Sequence, residues 1–172
     1  MTALRLLGAA LVALAGLALG RGFRARLYAA ADTLAGVCTA LGLLRGEITE
    51  RCAPLPEIAA RLGQEGPEAC RVWFCALADV LEAEPEARFS ALWRRTLEQS
   101  GPPLAPEDRE TLCRLGLCLG RYDAPEQAAE IDRCLASLTL AQRRAADLAR
   151  EKGRLCTGLG LAGGLLIAVL LL

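Results

Sequence analysis

Eight cysteines carry the widest chemical range in this 172-residue chain: Cys38, Cys52, Cys70, Cys75, Cys113, Cys118, Cys134 and Cys156. Thiolates attack, ligate soft metals or pair as disulfides, so their spacing decides which chemistry is open. No two of them have the two-residue spacing of a zinc or thioredoxin-type motif. Cys70/Cys75 and Cys113/Cys118 are each five apart. On a helix that spacing turns the side chains roughly 140° from each other, so neither pair closes around a metal alone. Reduced thiols serving as small core hydrophobes are the favoured reading, with disulfides and a metal set as its alternatives. Histidine is absent, which removes the usual general base, the nitrogen ligand of zinc and the neutral-pH switch.

Carboxylates offer the next candidates. Glu47/Glu50, Glu82/Glu84/Glu86 and Glu107-Asp108 have the proximity that acid–base or metal work needs, but such runs are mostly solvated helix faces. The glycines between Gly158 and Gly164 superficially suggest a phosphate loop. They lack the Lys-Ser/Thr that touches phosphate, and no strand precedes them. Inside an apolar helix, Gly160 and Gly164 share one face and suit close helix packing, which Gly8 and Gly16 could meet. No catalytic, cofactor-binding or metal set emerges, and an enzyme is not expected. Twenty Lys+Arg balance twenty Asp+Glu, at a pI near 6.4, without the basic excess of a nucleic-acid binder.

The elements that must position these groups follow from where the apolar residues sit. Leu6–Gly20 is a 15-residue apolar run, and Leu155–Leu172 gives 18 residues without a charge. At 1.5 Å per residue these span roughly 22 and 27 Å as helices, against a bilayer core of about 30 Å. Both are expected as transmembrane helices; the first could instead be a signal peptide cut near Ala18-Leu19-Gly20. Residues 21–26 and 143–154 together hold eight basic and two acidic side chains, while residues 27–142 hold 11 basic and 18 acidic. Basic collars next to both runs predict a hairpin with its middle in the cytosol. The expected organisation is therefore a transmembrane helix over 1–20, a cytosolic helical domain over 21–154 and a second transmembrane helix over 155–172.

Between the runs, Leu34, Val37, Leu41, Leu44 and Ile48 repeat at helical spacing. That helix should end near Cys52, stopped by Pro54 and Pro56. A short helix with Ile58 and Leu62 should close at Gly63 or Gly66. Pro67 opens a broadly apolar helix with Val72, Trp73, Cys75, Ala76, Ala78, Val80 and Leu81 as the centre of a bundle. Phe89, Leu92, Trp93 and Leu97 mark the next, closed by Ser100-Gly101-Pro102-Pro103. Pro106 starts a helix with Leu112, Leu115, Cys118 and Leu119 running to Gly120. Asp123, with Glu126 three residues on, reads as a capping-box-like start for a last helix that could continue into the second apolar run. Nothing alternates with period two. The expected fold is all-α, about six helices, with the first and last packed antiparallel.

Leu41-Gly-Leu-Leu-Arg-Gly-Glu47-Ile48 and Ala53-Pro54-Leu55-Pro-Glu-Ile-Ala resemble the first cytosolic helix and turn of the stage III sporulation protein AB family. Leu119-Gly120-Arg-Tyr-Asp123, followed by Gln127 and Ile131, is similar to its Leu-Gly-x-x-Asp turn and last long helix. Trp93, in Ala91-Leu-Trp, stands where the family also carries tryptophan, and Glu151-Lys152-Gly153 through Gly164 is similar to its ending. Arg45 stands where the family commonly has an acid. The resemblance implies a non-enzymatic role in endospore formation, in a membrane complex between mother cell and forespore. It also implies a cytosolic domain similar to the F-type platform proteins of type II secretion. The expected partners are the membrane, an ATPase like stage III sporulation protein AA and other channel proteins, with homo-oligomerisation left open. The expected place is the mother-cell membrane around the forespore. Two other readings stand beside it: a tail-anchored helical interaction module, which lacks the Asn-Trp-Gly-Arg centre of Bcl-2-like proteins, and an exported disulfide-bonded helical domain.

Overall fold

The stripe that begins at Leu34 folds as the periodicity requires. In the computed structural model, which describes the backbone over residues 28–171 and side chains over 28–151, residues 28–46 form helix α1. Leu34, Val37, Leu41, Leu44 and Ile48 are all buried. The helix closes in a π-helical turn, Glu47–Arg51, after which Cys52 takes a left-handed backbone with φ 50°. Pro54 then supplies an extended residue that caps α2, Leu55–Glu65. Pro67 caps α3, Glu68–Ala83. Helices α4, Phe89–Ser100, and α5, Pro106–Leu115, follow. The last, α6, is one helix from Ala124 to Leu171. No strand occurs among the described residues.

Two compact units divide the chain. One is Asp32–Gln142; the other takes Met1–Ala31 and Arg143–Leu172. Within the second, the described side chains are those of 28–31 and 143–151, where Ala149 is fully buried. Among the described residues no helix is long and apolar enough to cross a membrane. The spans expected over 1–20 and 155–172, with the Gly160 and Gly164 packing face, lie outside the described residues, apart from the helical backbone to Leu171.

In the Asp32–Gln142 unit, α1 and α6 form the expected antiparallel pair. Cys38 Sγ lies 3.9 Å from Thr139 Oγ1, and Arg45 Nε lies 2.8 Å from Asp132. Moving forward from Cys38 to Arg45 thus moves backward from Thr139 to Asp132. Helices α2 and α3 cross closely at Gly63: a Cβ there would fall 2.8 Å from Cys75 Sγ and 2.9 Å from the Cys75 nitrogen. Gly63 therefore lies inside α2, and the helix closes at Gly66, whose N–H donates to the Leu62 carbonyl.

Aromatic rings fill the centre. Trp73 and Trp93 meet edge to face with centroids 4.6 Å apart, and Phe89 stands 5.6 Å from Trp93. Such pairs add about 0.5–1.5 kcal/mol each beyond the area they bury. Both indole N–H groups are satisfied: Trp73 donates to the Thr96 hydroxyl at 3.3 Å and Trp93 to the Leu112 carbonyl at 2.8 Å. The Thr96 hydroxyl in turn donates to the Leu92 carbonyl at 2.9 Å, so a polar group can sit in the core without an unmet bond.

Two expectations about this core need correction. Val72 and Cys75 are exposed, Val72 at 70%, whereas Trp73, Phe74, Leu77 and Ala78 form the buried face of α3. A helix turns only one arc to the core, and the tryptophan ring fixes which arc. Helix α5 also ends earlier than its leucines suggest, at Leu115 rather than Gly120. Gly116 sits against the Trp93 ring, and the chain continues in tight turns through residue 120.

Candidate functional site

The sequence positions that carry the resemblance fall into two groups in space. Leu41, Ile48 and Trp93 are buried at 0%, 5% and 1% exposure, and they hold the bundle together rather than present a surface. The others meet where the C-terminal end of α1 faces the N-terminal end of α6.

Glu47 opens the π-helical turn, and its carboxylate accepts two bonds from the Arg61 guanidinium, at 2.9 and 3.0 Å. Arg61 reaches Glu57 on its own helix as well, and Arg51 comes within 3.5 Å of Glu47. Both bonds come from Arg61 Nη1, and Glu47 is only 18% exposed along its side chain, where a charged hydrogen bond is worth more than at an open surface. The pair ties the end of α1 to α2, and so fixes the direction in which Pro54 and Leu55 leave.

Leu55 then packs against the α5–α6 turn. Its Cδ1 lies 2.9 Å from where a Cβ on Gly120 would stand, and Gly120 has φ +72°. The left-handed backbone favours glycine there, and the end of the Leu55 side chain would have to shift for a Cβ. The Gly120 N–H donates to Gln127 Oε1 at 3.2 Å, and Gln127 Nε2 donates to the Tyr122 carbonyl at 2.6 Å. Asp123 precedes the first residue of α6, and its carbonyl accepts the Gln127 N–H at 3.0 Å. Leu119 is buried beneath the turn. The reach-back that a capping box assigns to Glu126 is made one residue later, by Gln127, and it grips Gly120. Leu55, Leu119, Gly120, Asp123 and Gln127 thus form one turn-on-turn assembly, with Glu47 in the π-helical turn and Pro54 at the start of α2 leading into it.

Sequence reasoning missed the partners of this assembly. Arg61 lies 14 residues from Glu47, beyond any local periodicity, and Gly116 gives no signal until Trp93 is placed above it. Arg45, which departs from the family's usual acid, is balanced across the helix pair by Asp132.

Among the described residues the cysteines do not gather into a reactive centre. The seven described are free, and Cys156 lies outside the described side chains. Burial pushes the thiols of Cys70 and Cys134 up to about 12, and it raises those of Cys38, Cys113 and Cys118. Such groups stay protonated and poorly nucleophilic at neutral pH. Cys52 and Cys75 are exposed, so the reading of the cysteines as core hydrophobes does not extend to them. No group of three or more Cys, Asp or Glu able to hold a metal occurs among the described residues. What the arrangement builds is a braced turn and a rigid surface.

The comparisons with known proteins bear on what that surface belongs to. The family model of stage III sporulation protein AB matches residues 5–172. The chain belongs to that family. Membership covers both apolar ends as well as the helical unit, and it makes this a sporulation protein. The chain is also similar to the solved structure of a stage III sporulation protein AB, with a TM-score of 0.64 and 20% identity over 70% of this chain and 96% of that one. At that identity the likeness is one of fold. No individually curated protein matches.

Proposed function

We propose that this chain is a non-enzymatic membrane platform in the channel complex that joins mother cell and forespore during endospore formation. The observation that carries the reading is the family match over residues 5–172. In this reading residues 1–20 and 155–172 span the mother-cell membrane around the forespore, and residues 21–154 form the cytosolic domain. The basic collars at 21–26 and 143–154 support that orientation. Within the Asp32–Gln142 unit, α1 and α6 pair antiparallel, and the braced turns of Glu47–Leu55 and Leu119–Gln127 close one end of that pair.

The partner of the cytosolic domain is a secretion-type ATPase resembling stage III sporulation protein AA, met through acidic surface. The last turn of α3 and the loop that follows it are the candidate. Glu82 and Glu86 are exposed, while Glu84 is engaged by Arg95 in two bonds, at 2.6 and 3.3 Å. Arg95 also holds the Glu84 carboxyl below the usual range. Glu82→Lys with Glu86→Lys therefore replaces the two free carboxylates with ammonium groups without breaking the Glu84–Arg95 pair. Affinity recovery of the ATPase with the full chain should fall several-fold in that variant. Undiminished recovery would remove this loop as the docking surface.

A further inference from the structure

The arginines of the Asp32–Gln142 unit are unevenly placed. Over residues 27–142 acids outnumber them 18 to 11, yet four meet around one exposed leucine. A hollow of about 460 Å³ between the end of α5 and α6 is lined by Arg114, Arg133, Glu130 and Leu117. A second hollow, of about 490 Å³, is lined by Arg88, Arg121 and the same Leu117. Leu117 is 50% exposed and forms the ridge shared by both. Because Leu117 lines both, the two hollows adjoin.

Among the described residues, three of these four guanidiniums are unpaired. Glu130 is the one acid lining either hollow, and it is already paired with Arg133. Arg88, Arg114 and Arg121 hold no ion pair among the described residues. Guanidiniums gathered this way leave a positive potential in an otherwise acidic domain. They present planar forks that match carboxylates, while the leucine between them leaves apolar area in water. An extended polyanion or an anionic bilayer would reach past this island onto the acidic remainder and be repelled. A short segment would not.

We propose that the surface around Leu117, flanked by Arg88, Arg121, Arg114 and Arg133, docks a short acidic segment of a partner protein that carries a large apolar residue. The carboxylates pair with the free guanidiniums, and the apolar residue seats in a hollow against Leu117. This proposal does not rest on the ATPase coupling above, which uses the acidic loop and the opposite sign of charge.

The test uses the purified full chain in non-ionic detergent and two labelled peptides, Glu-Glu-Phe-Glu-Glu and Glu-Glu-Ser-Glu-Glu, followed by fluorescence anisotropy. The phenylalanine peptide should bind more tightly, and its binding should weaken as salt rises. Arg114→Glu with Arg121→Glu should lower affinity by about tenfold or more, since two charged pairs become repulsive. Leu117→Ser should remove the advantage of phenylalanine over serine and leave the serine peptide unchanged. Arg114→Gln with Arg121→Gln replaces the charge reversal if that variant does not fold. Absent binding, or binding that the arginine variants leave intact, overturns the proposal. So does equal competition by a short single-stranded DNA or by phosphatidylglycerol vesicles. Self-association lost in the same arginine variants would identify a second copy as the occupant and would overturn it too.

Discussion

Replacing Gly116 by alanine tests whether Trp93 is a fixed core element or a surface reporter of partner binding. A Cβ at Gly116 would stand 2.2, 2.6 and 2.8 Å from Trp93 Cδ1, Cγ and Nε1, far inside van der Waals contact. The ring has nowhere to retreat. Trp93 is 1% exposed, its N–H is committed to the Leu112 carbonyl at 2.8 Å, and Trp73 and Phe89 close its other sides. Overpacking of this kind costs about 1–3 kcal/mol, and displacing the indole from its acceptor costs about 1 kcal/mol more. Restricting the unfolded chain returns about 0.4–1 kcal/mol, because the Gly116 backbone is ordinary right-handed helix with φ −60°. The net loss is about 2–3 kcal/mol, or a fall of about 10 °C in Tm for a domain of this size. Gly42→Ala is the internal control: nothing lies within 4 Å of a Cβ there, so the same chemical change should stabilise by about 0.5–1 kcal/mol. Thermal and guanidinium unfolding of the full chain, followed by tryptophan fluorescence, reads both, because the protein's two tryptophans share this core. Gly116→Ala within about 0.5 kcal/mol of wild type, the usual range for a surface change, would refute the packing argument.

Three further outcomes follow from the same geometry. Gly120→Ala must adopt φ +72°, so it should lose about 1–2 kcal/mol in the same unfolding assay; a neutral result would mean the turn does not hold residue 120 in the left-handed region. Arg61→Ala leaves the mostly buried Glu47 with only the longer Arg51 contact and should cost about 1–3 kcal/mol, whereas the exposed Arg45–Asp132 pair, in a double-mutant cycle, should couple by no more than about 1 kcal/mol. For pH, Cys70 and Cys134 rise from 9.0 to about 12 on folding. The folded chain keeps protons that the unfolded chain gives up, so their contribution is complete below pH 9.0 and is lost as pH climbs toward 12. Cys70→Ala with Cys134→Ala should therefore flatten the alkaline decline in stability, and an unchanged slope would contradict it.

Much of the fold is written in the sequence because its helices are amphipathic and punctuated. The α1 stripe, the prolines at 54, 67 and 106, and the Ser100–Pro103 break each act locally, and the helices begin and end close to them. What the sequence conceals depends on contacts between elements. Val72 and Cys75 look as apolar as Phe74 and Leu77, and only the position of the Trp73 ring separates them. Leu115, Cys118 and Leu119 keep helical spacing, yet the helix stops at Leu115, with Gly116 against the Trp93 ring. Among the motif positions, the string around Gly120 could be recognised, while its function as a seat for Leu55 depends on two turns far apart in the chain. Arg61 and Asp132 could not be paired with Glu47 and Arg45 by any local rule. The four arginines around Leu117 are also dispersed along the sequence, and an overall acidic balance hides them.

The central claim is a membrane-held platform with its helical domain in the cytosol, and topology tests it most directly. Reporters that are active on only one side of the membrane, fused after residue 100 and after residue 172 of the full chain, give two independent answers. The account predicts a cytosolic signal at 100 and an external one at 172. An external signal at 100, or a cytosolic one at 172, would contradict the hairpin and with it the coupling to a cytosolic ATPase.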